Sequence, residues 1–143
     1  MSNTATQLNE LIEITRDGKR FYEHARDEVK SSELKTLFSN MSQAKSNVII
    51  ALEKRVAANQ ETPASGGTLT GKVRQVYADT RAALSSDEEA TYIAQLEEAE
   101  DRILHAFEDA MQSNDPDLRA ELVSEMPKVR ACHDLMRDLK KAQ

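Results

Sequence analysis

Glu97 and Glu100 stand three residues apart on an otherwise apolar helical stripe, between Ile93 and the group Ile103, Leu104 and Phe107. Residues three and four apart share one face of a helix, so this spacing turns both carboxylates towards the core. A carboxylate taken out of water needs a cation, a metal ion or a route back to solvent. Side chains that could meet that need occur near the middle of three other helical segments: Tyr22 and Glu23, Lys45, and His133. Lys45 lies four residues after Met41 and three before Val48, and His133 four after Val129 and three before Met136, so both border apolar stripes. Placed at one depth, these groups would converge on Glu100. The expected arrangement is a hydrogen-bonded core polar network of Tyr22, Glu23, Lys45, Glu97, Glu100 and His133. Three other readings compete with it. The residues could reach solvent separately, Glu23, Glu97, Glu100 and His133 could hold a divalent metal such as iron, or Tyr22, Lys45 and Glu100 could line a small-molecule pocket.

Other combinations carry less chemistry. Cys132-His133-Asp134 has the residue types of a nucleophile triad, but neighbours on a helix point about 100° apart and cannot form a relay. Cys132 reads as a small core residue beside a polar histidine. His24 is expected on the exposed side of its helix, and His105, four residues after Asp101, in a surface pair. Gly66-Gly67 has no following Lys-Ser/Thr and makes no phosphate loop.

The elements that position these residues follow from apolar periodicity. A first helix spans about 4–29 on Leu8, Leu11, Ile12, Thr15, Tyr22, Ala25 and Val29. Gly18 falls on this stripe and marks either a break or the close approach of a neighbour. A second helix, capped by Ser31 or Ser32, covers about 31–58 on Leu34, Leu37, Phe38, Met41, Ala44, Val48, Leu52 and Val56. After a linker containing Pro63, Gly66 and Gly67, a shorter helix is predicted over about 69–84. Ser86 with Glu89 makes a capping-box pattern that opens a helix over about 87–112. Asp115-Pro116 restarts the chain as a helix over about 115–140, with Pro127 expected to kink it or force a rearrangement.

Connection lengths then give the topology. Two tight hairpins are joined by a crossover long enough to return along a whole helix, so the second and third long helices run parallel. The expectation is an all-α, ferritin-like four-helix bundle, one domain over residues 1–143, with a short fifth helix in the crossover. A ferritin-like di-iron centre needs a Glu from each of two helices and Glu-x-x-His from each of the other two. No Glu in this chain has His three residues later, and Arg130 stands three before His133. The second helix has no His, and Lys45 occupies the region where ligands are needed. A standard di-iron centre is therefore not expected, nor any other cofactor.

Composition narrows the setting. Among 143 residues, 31% are charged, with 4 Gly, 3 Pro and a single cysteine, Cys132, which suits a reducing compartment. The N-terminus lacks the basic and apolar regions of a signal peptide, so a cytoplasmic location is expected. The net charge is −6, and it comes from the second half. Residues 71–143 carry 16 acidic and 10 basic groups, against 9 of each in residues 1–70. Such a balance disfavours nucleic-acid and anionic-membrane partners.

Certain segments also carry a family likeness. Phe21-Tyr22-Glu23, Glu33-Leu34-Lys35-x-Leu37-Phe38, Glu97-x-x-Glu100-Asp101 and His133-Asp134-x-x-Arg137, in that order, resemble a bacterial four-helix-bundle family of the ferritin-like superfamily. That family is a domain of unknown function with no established reaction. The resemblance covers nearly the whole chain and implies the bundle fold. It also implies an Arg where this chain has Lys45, keeping the cation but losing bidentate pairing, and a Gly where Ala99 stands. The combined expectation is a non-enzymatic, metal-free bundle acting as an interaction or stress-associated protein and self-associating. The competing expectation is an iron-handling or oxidoreductase protein with an atypical centre.

Overall fold

The computed structural model describes residues 3–58 and 88–142, and every regular element among them is helical. These are α1 (Asn3–Glu28), α2 (Ser32–Ala58), α3 (Glu88–Met111), α4 (Pro116–Leu122) and α5 (Met126–Lys141). The helix expected over 69–84 and the Ser86 half of the expected capping box lie outside the described residues.

The corner between α1 and α2 is fixed by side chains that take over unpaired backbone groups. Ser31 Oγ accepts the Leu34 amide at 3.2 Å, and Lys35 Nζ donates to the Arg26 carbonyl at 2.9 Å near the end of α1. Glu89 of α3 accepts the Ser31 amide at 2.9 Å, which ties the start of α3 to this corner. At the opposite end Asp115 caps α4, accepting the amides of Asp117 and Leu118 at 3.0 and 3.3 Å. It also accepts the Thr4 hydroxyl from the first turn of α1.

The last long helix of the sequence reading is two helices. The chain turns through Val123, Ser124 and Glu125, and Pro127 falls in the first turn of α5. Proline has no amide hydrogen and its ring clashes with the carbonyl four residues back, so it is tolerated only in a first turn. The helix breaks and restarts where those costs vanish.

Cross-helix pairs give the directions. Along α1 and α2, Arg16 meets Glu53 while Lys35 reaches back to Arg26. Between α1 and α3, Tyr22 meets Glu100 while His24 meets Tyr92. Between α3 and α5, Glu108 pairs with Arg130, Asp101 with His133 and Glu97 with Lys140. In each pair one number rises as the other falls, so the helices are antiparallel. Because α2 and α3 both oppose α1, they run in the same direction, and α1 and α5 each touch both of them.

Two apolar clusters fill the interior. One gathers Leu8, Ile12, Leu52, Ile103, Phe107 and Leu118, and the other Phe21, Phe38, Tyr92, Ile93, Leu96 and Met136. Burying each such side chain contributes about 1.5–3 kcal/mol. Between the clusters, α2 passes from Met41 to Val48 through Lys45, and α3 from Leu96 to Ile103 through Glu100. Gly18 marks a close approach and not a break: α1 is continuous, and a Cβ there would lie 2.8 Å from Ile103 Cδ1. The missing side chain lets α1 and α3 come together one turn from Tyr22.

Candidate functional site

Glu100 is fully buried at the centre of the bundle, and Lys45 is only 1% exposed. Lys45 Nζ lies 2.6 Å from Glu100 Oε1, and the Tyr22 hydroxyl donates to Glu100 Oε2 at 2.5 Å. The contact with Lys45 is an ion pair and not a well-directed hydrogen bond, since Oε1 receives no hydrogen bond of good geometry. Charge therefore holds that side of the carboxylate and a short hydrogen bond holds the other. Each group comes from a different helix: Tyr22 from α1, Lys45 from α2 and Glu100 from α3.

The surroundings keep Tyr22 protonated. Its ring packs against Phe38 with centroids 6.0 Å apart. Burial, then the charge of Glu100 and the hydrogen bond to it, raise its pKa well above the ordinary 10.0. The phenol is a fixed donor, not a base. Cys132 of α5 stands at the edge of this group. Burial pushes its thiol pKa up, while the Lys45 ammonium opposes that shift. A thiol so held is a poor nucleophile, because the reactive form is the thiolate.

Three of the six residues expected in the network meet, and three do not. Glu23 is partly exposed and pairs with Lys19 at 3.0 Å along its own helix. Glu97 lies on the flank of α3 and faces Lys140 at 3.5 Å. His133 bridges two other acids, with Nδ1 3.1 Å from Asp134 Oδ1 and Nε2 3.3 Å from Asp101 Oδ1. The physical reason for Glu97 is angular: a three-residue step turns a helix by about 300°, which leaves Glu97 beside the stripe and Glu100 on it. The hydrogen bond from His133 also draws the Asp134 carboxyl below its usual range.

Two features escaped the sequence reading. His24 is half-buried, not exposed, and its Nε2 lies 3.2 Å from the Tyr92 hydroxyl, ring edge against ring face. The other is the position of Cys132 beside Lys45. Its place on the α5 stripe was visible, but nothing local in the sequence marks a lysine on another helix as its neighbour.

The donor set does not fit the metal centre of a ferritin-like bundle. One carboxylate stands at the centre, and its second oxygen already faces an ammonium. Among the described residues, no group of three or more His, Cys, Asp or Glu side chains could hold a metal ion. Glu23, Glu97, Glu100 and His133 point to four separate sets of partners. Tyr22 and Lys45 each contact Glu100 directly.

The model of a protein family described as Domain of unknown function (DUF2383) matches residues 3–113. The chain belongs to this family. The matched span includes Tyr22, Lys45 and Glu100 and ends before Cys132 and His133. No curated protein and no solved structure matches the chain.

Two predictions follow from the geometry. Lys45→Met and Glu100→Leu, made singly, each strand an unpaired charge in the core and destabilise the protein by about 3–5 kcal/mol. The double variant costs far less than the sum of the two, because it strands neither. Urea unfolding of all four chains gives the coupling, and strictly additive losses would show that the two groups do not pair. The second prediction concerns alkaline pH. The fold favours neutral Tyr22, so its contribution is complete below about pH 10 and is lost as the pH rises from there towards the folded pKa. The stability difference between the native chain and Tyr22→Phe should hold steady at neutral pH and shrink above about pH 10. A difference indifferent to alkali would contradict the burial of the phenol.

Proposed function

We propose that this chain is a non-enzymatic, metal-free bundle of the ferritin-like type, in which a polar network occupies the place of a metal centre. The single observation that carries this reading is the Lys45 ammonium 2.6 Å from Glu100 Oε1, both groups almost wholly buried. A cation supplied by the protein neutralises the central carboxylate, so a transition ion would have to displace it against direct charge repulsion. Kinship with the ferritin-like arrangement is supported by the common direction of α2 and α3 and by two hairpins meeting face to face.

With the centre self-satisfied, the working surface is the exterior. The reading is therefore of an interaction protein that can associate with itself or with another protein. Its acidic balance argues against nucleic acid as the partner. Among the described residues, no helix is long and apolar enough to cross a membrane.

Elemental analysis of the purified protein tests the proposal. The expected result is iron, manganese and zinc each far below one per chain, unchanged after incubation with the metals and desalting. A transition ion retained stoichiometrically, and released by Glu100→Gln, would overturn it in favour of an iron-handling protein.

A further inference from the structure

A shallow groove of about 380 Å³ runs between α1 and α3, away from the central network. Leu11 and Ile14 form one wall, and Ala106 and Ala110 the other. Ala106 and Ala110 lie one turn apart, and their small side chains leave room for larger ones from outside. The rims are acidic on both sides. Glu10 stands on the α1 edge and Asp109 on the α3 edge, and both are exposed.

The end of α3 lies beside the Asp109 rim. The carbonyl end of a helix carries partial negative charge and is normally stabilised by cations. The last turn of α3 contains no basic residue and includes Glu108 and Asp109. Cations meet this end from outside the groove: Arg130 lies 3.6 Å from Glu108, and Arg119 donates to the Ser113 carbonyl just past the turn. Within the groove the charged lining residues are Glu10 and Asp109, both acidic.

We infer that this groove docks a basic amphipathic helix of another protein. The partner's apolar stripe would lie on Leu11, Ile14, Ala106 and Ala110, with lysines or arginines on either flank reaching Glu10 and Asp109. Carboxylates on both rims and an apolar floor match that one class of segment. An acidic helix, including α3 of a second copy, meets like charge on both sides. The inference rests on the interaction-protein reading for its biological meaning, but its test is separate. Bound metal would sink that reading and leave peptide binding untouched, whereas absent peptide binding would sink only the groove.

The experiment is a fluorescence-anisotropy titration of the full chain against a labelled synthetic helix of leucine and lysine in amphipathic order. The same helix with glutamate for lysine serves as its counterpart. The lysine peptide should bind saturably, and more weakly as salt is raised. Glu10→Lys/Asp109→Lys should weaken it by at least about tenfold. Ala106→Phe, which fills the groove without changing charge, should do the same. Glu33→Lys/Asp138→Lys, an equal charge reversal at exposed positions elsewhere, should leave affinity unchanged. Circular dichroism checks that each variant is folded, and the Glu10/Asp109 pair, being exposed, decides the matter if Ala106→Phe is not. Absence of saturable binding overturns the inference. So does equal loss on the remote reversal, or equal affinity for the glutamate peptide. Self-association that disappears in Glu10→Lys/Asp109→Lys would give the groove to a second copy and overturn it too.

Discussion

A lysine and a glutamate that meet in the dry centre of a helical bundle constrain everything around them. Either charge alone would cost several kcal/mol to bury, so neither helix can slide without stranding its partner. Lys45 fixes α2 against Glu100 of α3, and the Tyr22 hydroxyl brings α1 to the same carboxylate. Gly18 lies one turn away, where a Cβ would come 2.8 Å from the tip of the Ile103 side chain. The apolar clusters above and below contribute most of the stability. The polar layer between them determines which residues lie level with which. This is the register role for which buried polar groups are best attested.

The same layer limits what the centre can do. Its carboxylate accepts from a phenol and is paired with an ammonium, its phenol keeps its proton, and the neighbouring thiol is pushed towards its inert form. Chemistry on an outside molecule would require the helices to part. The surface retains the features suited to encounter: an acidic third helix and an apolar groove with carboxylates on both rims.

Much of this was legible in the sequence. The apolar stripes place α1, α2 and α3 to within a few residues, Asp115-Pro116 marks a restart, and Glu100, Lys45 and Tyr22 stand out as polar groups at buried positions. Periodicity could not separate Glu97 from Glu100, because residues at the edge of a stripe and at its centre share the same spacing. It could not place His133 either, whose partner Asp101 looked committed to His105. Cys132 beside Lys45, and His24 against Tyr92, are meetings between helices, set by rotation about each axis. The break before Pro127 was signalled, but whether the chain would kink or restart depended on how α4 and α5 pack.

The most direct test is heteronuclear NMR of the lysine Nζ groups. If Lys45 is the buried partner of Glu100, its ammonium protons exchange slowly at neutral pH, appear apart from those of exposed lysines, and lose that protection in Glu100→Gln. A Lys45 signal that exchanges as fast as that of exposed Lys54 would contradict the account.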